Sequence, residues 1–441
     1  MGNTDPTPYN PRLAGPDRSG LGAPFWRLWT SSGLSNLADG VLKMALPLVA
    51  LRFTDSPALI AGIAVALSLP WLFFALPAGA LADRVDRRLA MLSANTLRGG
   101  LITLLTAVVV LDFGSIWLLY AVAFLIGATE TVYDTTAQSI LPQIIPRSQL
   151  SRGNGRLYAV ELSGQEFIGP PLGSALVAVG VGLALVTPAV LWIAAVGALL
   201  LVRGTFKAER NGPSTSMRAD IAEGVRFLWT HSLLRTFALM VGVSNFALSA
   251  LVAVIVVFAV GPNSPMGLTE SAFGFLFAMI AAGSLIGALA TELCERTLGR
   301  TRSLWLSVVL YTVVLAVPGL TTNVWLVGLG FITGGIGLTV WNVITVSLRQ
   351  RMTPGPLLGR VNSVYRLLAW GTRPLGAAAG GLIAEFFGFQ AMFLGLALLT
   401  LTLLIPLSWV NDVRLDEAER VGSELDQNAR GEQRGGKGTD P

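Results

Sequence analysis

A chain of 441 residues that is 53% apolar and only 13% charged departs from the roughly one-quarter charged composition of soluble domains. Its 49 glycines and 11 tryptophans suit helices that approach closely in lipid and anchor at its interfaces. Such hydrophobicity excludes a disordered chain. A single cysteine, Cys294, excludes a disulfide scaffold, and with one histidine, His231, it leaves no set for a His- or Cys-ligated metal. The net charge of +5 comes from arginines grouped between apolar runs, a pattern of membrane topology rather than of nucleic-acid binding.

The chain opens on a polar segment, residues 1–24, carrying Pro6, Pro8, Pro11, Pro16 and Pro24; it reads as a disordered cytosolic tail without a cleavable leader. Apolar runs follow at about 26–51, 57–82, 89–111, 115–136, 156–179, 183–202, 234–260, 270–293, 303–320, 323–347, 361–384 and 390–410. These runs are too long for barrel strands of about 10 residues, and helices satisfy their own backbone in lipid. Arginines and lysines alternate between the connections. They crowd before span 1 (Arg12, Arg18, Arg27) and in loops 2–3 (Arg84, Arg87, Arg88), 4–5 (Arg147, Arg152, Arg156), 6–7 (Arg203, Lys207, Arg210, Arg218, Arg226, Arg235), 8–9 (Arg296, Arg300, Arg302) and 10–11 (Arg349, Arg351, Arg360). The intervening loops carry almost none, Arg52 excepted. That alternation predicts an all-α membrane protein of twelve transmembrane helices, multi-pass in the cell (inner or plasma) membrane, with both termini cytoplasmic.

The predicted organisation is a six-helix bundle over 25–203, a cytosolic linker over 204–233, a second bundle over 234–410 and a disordered cytosolic tail over 411–441. Within the linker, Ile221, Val225, Phe227 and Leu228 interleave with Arg218, Glu223 and Arg226, the pattern of an amphipathic interfacial helix or of an ordinary cytosolic linker helix. His231 reads as a surface residue of the linker, and Cys294 as a bystander at the end of span 8. The two bundles share pieces. Leu81-Ala82-Asp83-Arg84 recurs as Leu293-Cys294-Glu295-Arg296, Pro171-Leu172-Gly173 as Pro374-Leu375-Gly376, and Arg152-Gly153-Asn154 is echoed by Arg360-Val361-Asn362. Separations near 200 residues at equivalent span positions indicate parallel repeats around a midplane cavity.

Three stretches carry a family resemblance. Gly79-Ala80-Leu81-Ala82-Asp83-Arg84-Val85-Asp86-Arg87-Arg88 in loop 2–3 resembles the loop signature of the major facilitator superfamily, with Asp86 where the broad pattern often has glycine. Gly164, followed by Gly169-Pro170-Pro171-Leu172-Gly173 in span 5, resembles its antiporter motif. The stretch Gly359 to Gly381 is similar to the branch of macrolide-efflux proteins and the enterobactin exporter. The resemblance implies two pseudo-symmetric six-helix bundles that rock about a shared site. It implies gating by Gly79, Asp83, Arg84, Arg87 and Arg88, with Arg360 and Arg366 near the start of span 11 as partners of Asp83. The prolines at 170 and 171 remove backbone donors and admit a bend, and Gly173 permits close packing.

Ionisable groups within spans are costly and are functional candidates. Asp39 and Lys43 lie one turn apart on span 1, a spacing that allows them to pair. Glu130 and Asp134 repeat that spacing on span 4 with like sign, so one of them favours holding a proton. Glu166 is near mid-span 5, Arg373 near mid-span 11 before Pro374, Arg98 in span 3 and Glu161 nearer the cytosolic end of span 5. Asp39, Lys43, Glu130, Asp134, Glu166 and Arg373 are the predicted proton-coupling and substrate-cavity residues. Trp71, Phe73, Phe74, Tyr133, Tyr158, Trp341, Tyr365 and Trp370 are available to line a pocket or to pack. The expected function is a proton-coupled exporter of small amphiphilic molecules such as antibiotics, siderophores or secondary metabolites, acting as a monomer without cofactor or nucleic acid. A lipid or lysophospholipid flippase on the same helices is the second reading. A membrane-embedded enzyme is disfavoured because no nucleophile–histidine arrangement is present, and no phosphate-cradling loop of an ATP-driven pump occurs.

Overall fold

The computed structural model describes residues 20–82, 84–146, 149–204, 206, 217–261 and 264–435. In the first half these form α1 (Gly22–Ala50), α2 (Pro57–Ala82), α3 (Arg87–Val110), α4 (Ile116–Ile144), α5 (Leu150–Leu162), a π-helical turn (Ser163–Ile168), α6 (Gly169–Val179) and α7 (Val181–Leu200). A connecting helix, α8 (Met217–Thr230), leads to α9 (Ser232–Ala259), α10 (Glu270–Leu298), α11 (Arg300–Leu320), α12 (Val324–Met352), α13 (Gly355–Leu401), the short α14 (Leu404–Leu407) and α15 (Asp412–Gly435). Among the described residues, nine helical runs are long and apolar enough to cross a membrane. One of them holds α13, which Gly388 at φ 83° bends into two arms. With those arms counted separately, α1 and the continuous α5–α6 rod complete twelve long rods among the described residues.

Local chemistry sets the ends of the rods. Ser115, Thr269 and Asn323 cap α4, α10 and α12 through side-chain oxygens that accept otherwise unpaired N–H groups. His231 is not a free surface residue: its Nδ1 accepts from Leu234 N at 3.4 Å and caps α9. Gly299, at φ 80°, supplies the left-handed turn between α10 and α11.

Rods of the first bundle pack as α1 on α7 and α6, α2 on α4, and α3 on α4 and α7. Those of the second pack as α9 on α13, α10 on α12, and α11 on α12 and α13. Between bundles, α2 meets α13 and α9, and α6 meets α10. The apolar cores are unequal along the axis. At the arginine-poor end one continuous core draws on both bundles, joining Leu42, Ile60 and Leu119 to Val254, Phe273 and Phe393. At the arginine-rich end each bundle has its own, one around Phe25, Met91 and Leu141 and another around Phe237, Trp341 and Leu407. Polar contacts between bundles follow the same division. Ser56 Oγ donates to Glu385 Oε2 at 2.8 Å, and Ser174 Oγ donates to the Glu270 carbonyl, both at the arginine-poor end. The bundles are therefore joined at that end and have separate cores at the other.

One expectation about the segments outside the bundles is corrected. The tail from residue 411 is not structureless up to Gly435: α15 buries Leu415 and Ala418 against the second bundle. Its acids engage cations that sequence polarity alone leaves unassigned. Arg300 pairs with Glu419 at 2.7 Å and with Asp416, and Thr301 N and Oγ1 donate to Asp412 Oδ1 at 3.1 and 2.9 Å. In the linker, α8 buries Leu228 and leaves Val225 exposed, so its apolar side faces the second bundle along α13. Residues 1–19, part of the predicted N-terminal tail, lie outside the described residues, as do 207–216 of the linker.

Candidate functional site

The polar content of α1 faces inward. Ser35, Asn36 and Asp39 are all buried, and no apolar core helix carries such groups without partners close by. Asp39 and Lys43 share a helix face but do not pair with one another. Asp39 Oδ1 lies 3.3 Å from Arg98 Nη1 of α3, with both side chains sealed from solvent. The same nitrogen approaches Ser35 Oγ at 3.3 Å and Asn95 Oδ1 at 3.4 Å, while Arg98 Nε donates to Thr129 Oγ1 at 3.3 Å. The guanidinium also lies 5.3 Å from the Tyr133 ring centre and 5.6 Å from that of Trp192. These contacts fix α1 against α3 and α4, while Asp39 Oδ1 and Arg98 Nη2 stay buried without a hydrogen bond among the described residues.

Lys43 turns to α4 instead. Its Nζ donates to Glu130 Oε1 at 2.9 Å and to Gln165 Oε1 at 3.3 Å. Gln165 Nε2 donates to Asn36 Oδ1 at 2.7 Å, and Asn36 Nδ2 donates back to the Ser32 carbonyl at 2.8 Å. A polar chain thus crosses from α4 through α1 to the π-helical turn. The Lys43 side chain is 38% exposed and Glu130 only 7%, so the cation is the member that reaches open space. Asp134, one turn along α4, is buried, and Glu166 in the π-helical turn is exposed. Neither has a hydrogen bond or ion pair among the described residues. Asp134 lies within electrostatic reach of Glu130, Glu161 and Asp39. On the other bundle, Arg373 Nε donates to Asn245 Oδ1 at 3.1 Å. The six predicted cavity residues therefore divide into a sealed member (Asp39), a half-open pair (Lys43 and Glu130), two unpaired acids (Asp134 and Glu166) and a cation on the other bundle (Arg373).

The π-helical turn follows from Gly169-Pro170-Pro171. Gly169 N donates to the Gly164 carbonyl, five residues back. Two prolines then withhold the donors that carbonyls of the preceding turn need, so the chain does not close as a regular α-helix. The wider turn carries Gln165 to Lys43 and Asn36. The motif glycines sit directly on α1. A Cβ on Gly164 would lie 2.8 Å from Leu37 N, one on Gly169 2.5 Å from Gly40 Cα, and one on Gly173 2.5 Å from the Val41 carbonyl. Pro170 is buried beside them, and the Pro171 carbonyl lies where α10 approaches at Gly274.

Loop 2–3 is tied within its own bundle. Asp86 caps α3 by accepting from Leu89 N at 3.1 Å, and its other oxygen accepts from Phe206 N at 2.7 Å. Arg87 Nη1 donates to the Ser139 carbonyl at 2.8 Å. Arg88 Nε and Nη2 donate to the Leu199 and Leu200 carbonyls at 3.1 and 2.9 Å, closing the end of α7. Arg84 is exposed just past α2, whose last turn holds Gly79. Asp83 lies outside the described residues, as does the side chain of Arg366. Arg360 pairs with Glu223 of α8. Among the aromatics, Tyr133, Trp341 and Tyr365 are core residues rather than pocket lining, whereas Trp71 and Trp370 meet across the bundle boundary at 4.3 Å.

Sequence reasoning missed Gln165, Asn36 and Asn245, neutral amides that orient the charges, and it left Arg98 without a role. Asn36 was detectable as a polar residue three before Asp39 on the same face. Gln165 was not, because its direction depends on the extra residue of the π-helical turn.

Comparison with known proteins agrees with this architecture. The chain is 27% identical to the multidrug efflux pump Tap of Mycolicibacterium fortuitum, over 82% of this chain and 89% of that one. It is 22% identical to macrolide efflux protein A of Streptococcus pyogenes, over 88% and 96% respectively. Among solved structures, the nucleoside transporter NupG superposes with a TM-score of 0.68 at 14% identity, covering 87% of this chain and 98% of that one. A bacterial homologue of the human lysosomal transporter Spinster, in an inward-facing and unoccupied conformation, superposes at 0.65 with 14% identity, covering 92% and 98%. Residues 22–430 match the family described as transmembrane secretion effectors. With that match spanning nearly the whole chain, and with the loop and span 5 motifs placed as described, the protein belongs to the transmembrane secretion effector family of the major facilitator superfamily.

Proposed function

We propose that the protein exports small amphiphilic molecules, including antibiotics, in exchange for protons, as a monomer in the cell membrane with both termini in the cytoplasm. The arginine-rich end then faces the cytosol, in accord with the positive-inside rule. Separate cores at that end and a shared core at the other make this the state that admits substrate from the cytosol. The names of its multidrug and macrolide efflux relatives supply the substrate class.

The observation that carries the coupling is the half-open Lys43–Glu130 pair beside two unpaired acids, Asp134 and Glu166. A proton delivered to Glu130 removes the charge that holds Lys43 and loosens the tie between α4, α1 and the π-helical turn. The unpaired acids supply sites where that proton is taken up or passed on. Asp39, sealed against Arg98, holds α1 in place. The motif glycines Gly164, Gly169 and Gly173, with Pro170 and Pro171, let α1 and the span 5 rod move as one unit, because their backbones touch. At the cytosolic end, Gly79, Asp83, Arg84, Arg87 and Arg88 form the gate, with Arg360 and Arg366 across from it. Arg87 and Arg88 act by fixing helix ends that the gate must carry.

The test is ethidium efflux from cells or proteoliposomes across pH, with and without a proton uncoupler. Export that collapses with the uncoupler in the wild type is expected. Glu130→Gln or Glu166→Gln is expected to lower the rate at least about tenfold or to abolish its pH dependence. Unchanged export and unchanged proton dependence in both variants removes these acids from the mechanism.

A further inference from the structure

The cations within the spans are not treated alike. Arg98 has Asp39 at 3.3 Å, and Lys43 has Glu130 at 2.9 Å. Arg373 has no carboxylate within 4 Å among the described residues. Its neighbours are neutral and hold only part of the group. Nε donates to Asn245 Oδ1 at 3.1 Å, and Asn245 is itself oriented because its Nδ2 donates to the Val241 carbonyl at 3.0 Å. One face of the guanidinium lies over Trp370, with Cζ 5.2 Å from the ring centre. Trp370 in turn stands edge-on to Trp71 of the other bundle, at 4.3 Å and 71°. The two terminal nitrogens take no protein acceptor among the described residues.

A cation at membrane depth without a counter-ion is unfavourable, and elsewhere in the same chain the cost is met by a carboxylate. Here the protein instead fixes the stem and one edge of the guanidinium and leaves the outer fork free. That fork has two parallel N–H groups whose spacing matches a planar carboxylate. Holding it in advance lowers the ordering cost on binding. The aromatic pair beside it offers flat apolar surface to whatever carries the carboxylate. Across the gap, Glu130 of the other bundle lies within electrostatic reach of Arg373 but is itself paired with Lys43, so it leaves the fork open to a ligand.

We propose that Arg373 is the subsite for a carboxylate on the exported amphiphile, with Trp370 and Trp71 against its adjoining ring or chain. The inference rests on the export reading of this gap and specifies its substrates: acidic or zwitterionic amphiphiles are preferred over matched neutral or cationic ones. Asn245 is the positioning residue, since it acts through the guanidinium.

Rhodamine B, which carries a free carboxylate, and its ethyl ester differ only at that group. Anisotropy titrations with the full chain in detergent give the affinity for each dye, and proteoliposomes under a proton gradient give transport. The wild type is expected to bind the acid more tightly than the ester. In Arg373→Gln the acid-to-ester preference is expected to fall about tenfold or more, since a charge-assisted bidentate contact is lost. Arg373→Lys, which keeps the charge without the fork, is expected to fall between, and Asn245→Leu to weaken the preference less than Arg373→Gln. No preference in the wild type overturns the proposal, and so does a loss in Arg373→Gln that is equal for acid and ester, which makes Arg373 a part of the cycle rather than a subsite. Binding that discriminates while neither dye crosses the vesicle membrane keeps the subsite and overturns the export reading instead.

Discussion

At the scale of single residues, the two ion pairs of α1 differ in what their loss does. Arg98 and Asp39 are both sealed, so Arg98→Gln leaves a buried carboxylate without its cation and is expected to cost about 3–5 kcal/mol of stability. Lys43 keeps 38% of its side chain exposed, so Lys43→Gln is expected to cost less than about half of that while impairing transport. Thermal unfolding of the purified protein in detergent, read beside export, separates the two. Equal destabilisation by both substitutions contradicts the division into a holding pair and a working pair. Every charge in these pairs was visible in the sequence, but the partners were not. One-turn spacing on α1 suggested that Asp39 and Lys43 meet. The structure sends them to different helices, because α3 and α4 each bring an opposite charge nearer. Spacing along one helix limits which groups share a face, and only tertiary packing decides which of them touch.

At the scale of elements, the glycine contacts make a graded prediction. Gly169→Ala places a methyl 2.5 Å from Gly40 Cα, a backbone atom that cannot swing aside. Overpacking of this kind costs about 1–3 kcal/mol. Gly197→Ala, in α7 with open space at its Cβ position, is expected to be neutral or slightly stabilising. Thermal unfolding of the two variants checks the contrast, and a neutral Gly169→Ala argues against the tight α1 contact. Most rods were legible from apolar run length, and the glycine–proline motif correctly marked a departure from regular helix in span 5. What kind of departure was not legible, since a bend and a π-helical turn leave the same residues in the sequence. The C-terminal helix was obscured for another reason. Residues from 411 on are polar and mixed in charge, which reads as a solvated tail, yet Leu415 and Ala418 sit one turn apart and are buried. Two small apolar positions are a weak signal against so many charges, and the acids that anchor α15 find their cation, Arg300, more than a hundred residues away in sequence.

At the scale of the whole molecule, the unequal cores say that one end must come apart before the site can open to the other side. Ser56 and Glu385 span the joined end, with Oγ to Oε2 at 2.8 Å. Cysteines at both positions, in a Cys294→Ser background and bridged by a short bifunctional thiol reagent, are expected to stop export almost completely. Either single cysteine treated alone is expected to retain it. Full export by the bridged protein rules out opening at that end. The twelve-rod architecture was legible because alternation of arginines tests the count loop by loop. The closed end was not, because the residues that join the bundles there are small and mostly apolar, among them Ala58, Ala61 and Gly381.

The two helices outside the rods, α8 and α15, both fasten to the second bundle, through Arg360 with Glu223 and through Arg300 with Asp416 and Glu419. Among the described residues the halves are thus mechanically unlike, since only the second is braced by helices outside the rods. A rigid fusion or antibody fragment seated on α15 therefore reports the frame of the second bundle alone, so imaging markers belong on that helix and tilt probes on the opposite half.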